Sequence, residues 1–293
     1  MKLWGVVVFS LFTSCVMADG IRTAIMIPNW TIQSSESLYY GTRLKSQYQL
    51  WNLLDGDSRT TWVYNSLDYR KQKGFGINTA PEYRIEFSAR KPTAVDELRI
   101  QIGYQKSMDL FLANSRPSKV EIWGRSRGIG RKLLRTIEVK DEMGWKSIKI
   151  PKQTYEAISV SIVGIKRGTV DDLCVSEMML RCDGENLTKM PPCVFYTKGG
   201  DTPGVSLYSP ERKVIAHNWL EFSLPEFSPN GRLVAGGAER KLWVIDLYSA
   251  KIIKSLPDVS TVFIKWLDNR RVAFQQEFFG KGSQKHKSIT VKL

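Results

Sequence analysis

Two aspartates flank a glycine in "LWNLLDGDSRTTW", residues 50 to 62, and a Ser-Arg-Thr-Thr stretch separates them from Trp62. Asp55 and Asp57 put two carboxylates into one tight turn. Four roles compete for them: a helix cap, an ordinary turn, an acid–base pair and a hard-cation site. A glycosidase pair needs carboxyls about 5 to 10 Å apart in a cleft. A "DGD" turn instead aims both groups into one compact pocket, which suits an ion better than a sugar ring. Calcium takes about six to eight oxygen ligands and accepts main-chain carbonyls, which such a turn supplies.

Other catalytic chemistry is sparse. His217 and His286 are the only two histidines, and neither has a zinc-type spacing. There is no "GxSxG" elbow. "RGIGR" (127 to 131) lacks the strand, helix and third glycine of a phosphate loop and reads as a turn. The chain is therefore expected not to be an enzyme.

The sulfur chemistry is structural. Cys174 and Cys182 share one strand candidate, "DDLCVSEMMLRC". Eight residues at roughly 3.3 Å each separate them by about 26 Å. A disulfide needs Cα atoms within about 7 Å, so these two do not pair while the strand stays straight. Cys193 can fold back to Cys182, so a Cys182–Cys193 bridge is expected, with Cys174 a buried free thiol.

These residues need strands to position them. Val, Ile, Tyr, Phe and Trp recur in short alternating runs, with 42% hydrophobic and 25% charged residues in 293. Residues 21 to 49 read as a strand and an irregular lead-in. Residues 97 to 104, 118 to 124, 135 to 140, 146 to 150, 157 to 165 and 173 to 182 are strand candidates bounded by turn formers. Many short strands with regular turns predict an antiparallel sandwich. The Gly- and Pro-rich stretch 184 to 204 reads as a linker.

Beyond the linker, "FSPNGRLVAG" (227 to 236) and "WLDNRRVAFQ" (266 to 275) share a pattern and begin 39 residues apart. That is close to a propeller-blade period. "RKLWVIDLYSAKIIKSL" adds two strands joined at Tyr248-Ser249-Ala250. Residues 205 to 293 resemble WD-repeat-like blades, but fewer than three fit, and a closed propeller needs at least about four.

The N-terminus reads as an export signal over residues 1 to 18. Lys2 precedes an apolar run, Leu3 to Thr13, that is too short to span a bilayer. Val16-Met17-Ala18 fits cleavage before Asp19, while "FTSC" resembles a loose lipoprotein box ending at Cys15. Secreted, periplasmic and lipid-anchored locations all remain open.

Taken together, "DGDxxTxW" in an entry loop and the late pair Ser176-Glu177 resemble discoidin-type (coagulation-factor C-type, galactose-binding-like) jelly rolls. "GYQKSMDLFLANSRPSKVEIWG" (103 to 124) and "GTVDDLCVSEMML" (168 to 180) narrow the likeness to the glycan-binding and translocation module of NAD-glycohydrolase toxins. The resemblance covers roughly residues 45 to 182 within a sandwich placed at 21 to 183. It implies an all-β jelly roll with a structural calcium ion. The implied ligands are the Asn52 carbonyl, Asp55, Asp57, Thr60 through carbonyl and hydroxyl, the Ser176 carbonyl and the Glu177 carboxylate. Trp62 would be a core residue anchoring the loop.

In sandwich lectins of this type, loops at one end of the barrel hold the sugar. A sugar needs an aromatic platform and planar hydrogen-bonding groups. Tyr64, Tyr69, Arg70, Tyr104, Lys106, Asn114 and Arg116 meet that description, and Tyr104, Asn114 and Arg116 lie in the family-like motif. Asn114 and Arg116 bracing the loop is the competing reading. "GRSRGIGRKLLR" (124 to 135) holds five Arg or Lys in twelve residues and reads either as an anion-binding surface or as a solvated hairpin.

Net charge is +14. For an exported protein this points to a glycan or an anionic envelope polymer rather than nucleic acid. The function expected is therefore an exported carbohydrate- or envelope-ligand-binding protein. Two alternatives are a targeting or translocation subunit of an exported enzyme or toxin, and a structural envelope protein that meets a protein partner through its C-terminal β segment.

Overall fold

A computed structural model of the chain describes residues 23–34, 48–64, 83–192, 194–198, 204–208, 214–216, 225–238, 241–257, 261–280 and 283–293. The leader, Cys15, Tyr69, Arg70, Cys193 and His217 lie outside them. The described chain is built almost wholly of strands, as the alternating runs of β-branched and aromatic residues require. No helix in it is long and apolar enough to cross a membrane.

The fold is a jelly-roll β-sandwich with two further sheets. The sandwich strands are β1 (Thr23–Ile27), β2 (Trp30–Ser34), β3 (Trp62–Tyr64), β4 (Tyr83–Ile102), β5 (Asn114–Ser126), β6 (Ile129–Glu138), β7 (Lys146–Lys166), β8 (Val170–Cys182) and β9 (Glu185–Asn186). A short helix, α1 (Met108–Ala113), joins β4 to β5. Strands β10 (Val194–Lys198), β11 (Gly204–Tyr208) and β12 (Val214–Ala216) extend the same hydrogen-bonded path, which runs β12-β11-β10-β1-β2-β4-β7-β5-β8-β3.

Strand β4 makes the sandwich possible by serving both leaves. Its first half lies between β2 and β7. The ladder breaks between Ser88 and Thr93, around the exposed Lys91 and Pro92. Its second half then pairs with β8 as well as with β7. Proline cannot donate to a ladder, so a break is where it belongs. The inward side chains of both halves, Ile85, Phe87, Leu98, Ile100 and Ile102, meet Trp30, Trp62, Val120, Tyr155, Ile158, Val160 and Leu180 in one buried core.

Two pieces of the stretch expected as a linker, 184 to 204, are strands of the sheet, Glu185–Asn186 and Val194–Lys198. Asp183 and Gly184 take positive φ, 49° and 87°, and close a two-residue hairpin between Cys182 and Glu185. Val194–Lys198 then pairs with β1 on one side and β11 on the other. The β-forming run "VFYTK" finds an open strand edge, and that outweighs the flanking Gly and Pro. Gly204–Tyr208 and Val214–Ala216 continue the same hydrogen-bonded path.

A second unit holds β13 (Glu226–Phe227), β14 (Leu233–Ala238), β15 (Lys241–Asp246) and β16 (Lys251–Leu256) in a four-stranded meander. Strands β17 (Thr261–Trp266), β18 (Arg271–Gly280) and β19 (Ser283–Lys292) form a three-stranded one. Leu233, Leu242 and Val244 from the first sheet share a core with Ile264, Trp266, Val272 and Phe274 from the second. The 39-residue spacing has a structural counterpart, because the Asn230 amide donates to Asn269 Oδ1 at 3.0 Å and ties the two equivalent turns together.

Arg90, at the β4 break, docks this unit on the sandwich. Its guanidinium donates to the Pro225 carbonyl at 2.9 Å, pairs with Glu226 at 3.2 Å and lies 4.8 Å from the centre of the Phe227 ring.

Candidate functional site

The loop from Leu50 to Trp62 is folded by its own polar groups. Leu50–Leu53 makes one turn of 3-10 helix with all four residues buried. The Asn52 amide donates to the Thr61 carbonyl at 2.8 Å and closes the loop behind it. Asp55 Oδ1 accepts from the Asp57 amide at 2.9 Å, while Gly56 supplies the positive φ of 75° that this turn needs. Thr60 Oγ1 lies 3.0 Å from Asp55 Oδ2 and 2.9 Å from the Asp57 carbonyl. Trp62 is fully buried, as expected.

Strand β8 brings Glu177 to this loop. Ser176 is an extra residue in the β4–β8 ladder, where Gln101 faces Glu177 and Ile102 already faces Val175. Such a bulge re-aims the side chains next to it. Ser176 Oγ donates to the Gly103 carbonyl and accepts from the Gln105 amide, both at 3.0 Å. Glu177 is 2% exposed, and its Oε1 accepts no hydrogen bond. Burial first, and then the negative charge and contact of Asp55, hold its carboxyl well above the usual carboxylate range. The Gly56 amide works against that shift. Two carboxyl groups from opposite ends of the sandwich sequence thus share one small polar space.

The third expected carboxylate, Asp57, is close enough for its charge to add to the Glu177 shift but has a cation of its own. Asp57 is gripped by Arg59, whose Nε and Nη2 donate to its two oxygens at 2.9 Å each. That pairing holds the Asp57 carboxyl below its ordinary value. The structure therefore gathers Asp55, Thr60 and Glu177, with Asn52 and Ser176 beside them, and pairs the Asp57 side chain with Arg59. A trio of metal-type side chains does converge at Asp96, Cys182 and Asp183, but Lys152 already holds both Asp183 oxygens, at 2.6 and 2.8 Å.

Residues expected to contact a sugar divide into two groups. Tyr104 is half-buried against Val63 and Cys174, and Lys106 is exposed. Burial, Cys174 and the Asp57 charge all raise the Tyr104 phenol, which places it beside the aspartate loop. The loop carrying Tyr104 is fixed. Gly103 has φ 73°, and a Cβ there would lie 2.8 Å from the Phe111 ring. Gln105 Oε1 accepts from the Gly144 amide at 2.7 Å. Ser107 Oγ caps α1 by accepting from the Leu110 amide at 3.2 Å.

The other group is structural, and this corrects the expectation for three residues. Tyr64 is 1% exposed, edge-on to Trp62 and Tyr83 in the core, so it offers no platform. Asn114 ends α1, with Nδ2 donating to the Leu110 carbonyl at 2.9 Å. Arg116 is 2% exposed. It bonds the Phe111 and Asn114 carbonyls at 3.1 and 3.2 Å, stacks 4.5 Å from the Phe111 ring centre, and forks onto Asp141. Asp141 lies 25 residues away in sequence, and no motif marks it as the partner. Arg116 and Lys166 hold its carboxyl down at about 2, the Arg116 hydrogen bond contributing most.

The cysteines separate as follows. Cys174 is a buried free thiol, as expected, and burial pushes it well up. Cys182 is also a free thiol, with Sγ 3.6 Å from Asp183 Oδ2, and the Cys193 end of the expected bridge lies outside the described residues. The basic stretch 124 to 135 is a solvated hairpin whose Gly128 turn has φ 70°, and its Arg131 lies over the Trp123 ring at 4.6 Å.

No curated protein matches the chain. Among solved structures it is similar to the family 32 carbohydrate-binding module of Clostridium perfringens NanJ in complex with galactose, at 15% identity and TM-score 0.38 over 54% of this chain and 98% of that one. A second Clostridium perfringens module, in complex with GalNAc-β-1,3-galactose, is similar at 11% identity and TM-score 0.40 over 54% and 99%. The family 32 module of Streptococcus pneumoniae EndoD is similar at 11% identity and TM-score 0.38 over 54% and 98%. The family model for the NAD glycohydrolase translocation F5/8 type C domain matches residues 28–181, which is more than half of the 293. That span contains the aspartate loop, the Tyr104 loop and the Glu177 strand, and the chain belongs to this family.

Proposed function

We propose that the chain is an exported, non-catalytic binding module whose discoidin-like sandwich is stapled by calcium and takes a glycan or an anionic envelope polymer. The observation that carries this reading is the family match over residues 28–181. Tyr104 and Lys106 stand on a rigid loop next to the aspartate turn and offer a partly open ring and a free cation. The apolar C–H face of a sugar packs on such a ring, and an anionic substituent pairs with such a cation.

The calcium reading is supported by the acceptor-rich space between Asp55 and Glu177. Two carboxyls in contact and an oxygen without a donor favour a cation. Asp55 and Glu177 would hold it, with Thr60 and the Asn52 and Ser176 carbonyls completing the shell. The ion would tie the first loop to β8, a structural role rather than a chemical step.

A second reading follows from membership of a translocation-domain family. In that reading the sandwich targets or carries an activity supplied by another chain, and the C-terminal sheets meet that partner.

A glycan array tests the first reading. Saturable binding that falls at least about tenfold in Tyr104→Ala supports it. Absence of binding across neutral and anionic glycans sinks it. Copurification of an activity with a second chain, in the absence of any glycan binding, favours the second.

A further inference from the structure

Gln101 lies on the same face of the sheet as Glu177 and directly opposite it in the β4–β8 ladder. Side chains opposed in this way start about 5 Å apart at Cβ, within reach of one small ligand. Gln101 is 7% exposed and Glu177 is 2% exposed. Gln101 Oε1 is buried and accepts no hydrogen bond, and the same holds for Glu177 Oε1. A buried acceptor left without a donor costs about 1 to 3 kcal/mol. Two of them side by side on adjacent strands, next to Asp55, make an acceptor-rich space, while Arg99, two residues back along β4, lies over the Trp145 ring at 4.9 Å.

The bulge at Ser176 sets this up. It interrupts the ladder immediately after the Gln101–Glu177 pair and lets β8 turn Glu177 toward the Asp55 loop. Asp57, the acid expected to complete the shell, faces Arg59 instead. A hard cation between Asp55 and Glu177 is therefore short of one side-chain oxygen on the loop side and has one to spare on the strand side.

We infer that Gln101 is an additional cation ligand, through Oε1, so that calcium is gripped by two adjacent strands and the loop rather than by β8 and the loop alone. The inference rests on the calcium reading proposed above. An amide oxygen is a hard, neutral donor that calcium accepts readily, and it adds a ligand without adding repulsion between carboxylates.

Calcium titration of the full chain by calorimetry, with thermal melts in chelator, tests it. Wild type is expected to bind calcium, and Gln101→Leu to bind it at least about tenfold more weakly. In chelator, Gln101→Leu is expected to melt no lower than wild type, because it removes an unsatisfied acceptor. Gln101→Glu restores an oxygen and is expected to bind at least as tightly as wild type; it also serves if the leucine variant does not fold. Equal affinity in wild type and Gln101→Leu overturns the inference while leaving the calcium site intact, as does weakened binding by Gln101→Glu. A wild-type chain that binds no calcium overturns the calcium reading itself, and this inference with it.

Discussion

Asp55 and Glu177 press their carboxyls together where the first loop of the sandwich meets its last long strand. Like charges placed in contact away from water repel strongly, so one must carry a proton or both must share a cation. The contact is therefore a point where the loop and the strand are either joined or forced apart, depending on what fills the space.

Removing calcium is accordingly expected to lower the melting temperature. Free calcium at a hundred times its dissociation constant would add about 2.7 kcal/mol. Glu177→Gln should abolish that gain and melt higher than wild type in chelator at neutral pH, because it removes the cost of keeping that carboxyl protonated. The sign of the pH effect follows. Without calcium the folded Glu177 holds its proton above the ordinary value of 4.5, so wild-type stability falls as pH rises past that value. Scanning calorimetry from pH 5 to 9 should show this slope in wild type and a flatter one in Glu177→Gln.

Arg116 should behave as a brace rather than a ligand contact. Arg116→Ala is expected to cost about 3 kcal/mol, since two carbonyls and Asp141 lose their donor. Arg116→Lys should recover little, because an ammonium cannot reproduce the fork. Urea denaturation measures both.

Asp141 supplies an acid-side test. Its folded value of about 2 lies below the ordinary 3.8, so its contribution is complete above pH 4 and is lost as pH falls toward 2. The stability difference between wild type and Asp141→Asn should shrink over that window. A difference that stays constant would detach Asp141 from the acid transition.

Gly103→Ala should strain the Tyr104 loop. The left-handed backbone alone costs about 1 to 2 kcal/mol, and the new methyl meets the Phe111 ring. A lower melting temperature with weakened glycan binding is the expected pair of results.

Arg90→Ala should uncouple the two units. Losing the bonds to Pro225 and Glu226 and the stack on Phe227 removes one bridge between them, leaving the close packing of Gly231 on Pro28. A single cooperative melt in wild type and two transitions in the variant would show it.

The sandwich was legible because its strands alternate, and "AISVSIVGI" could hardly be anything else. Strand ends were less so. Residues 146 to 150 and 157 to 165 are one strand, β7, since a register shift between Lys149 and Gln153, around Pro151, carries it round a bend where a turn is the ordinary reading. The lead-in at 21 to 49 hides a hairpin turned at Pro28 and Asn29. The Asp183-Gly184 turn was a readable hairpin signal masked by the Gly- and Pro-rich stretch after it. At the site, Asp55 and Glu177 were named from motif order alone. Arg59 as the partner of Asp57, and Asp141 as the partner of Arg116, were not readable. The first is a choice between a loop cation and an inward turn, and the second is a contact that only the fold creates.

Strand β1 is hydrogen-bonded to β10, which follows the whole sandwich in sequence. A chain made or threaded from its N-terminus cannot finish this sheet until residue 198 has emerged. Contacts between such distant segments are slow to form, so the nascent sandwich must wait with a bare strand edge. A fragment cut at residue 183 would keep that edge permanently open, which makes residues 194 to 198 the natural minimum for a well-behaved sandwich.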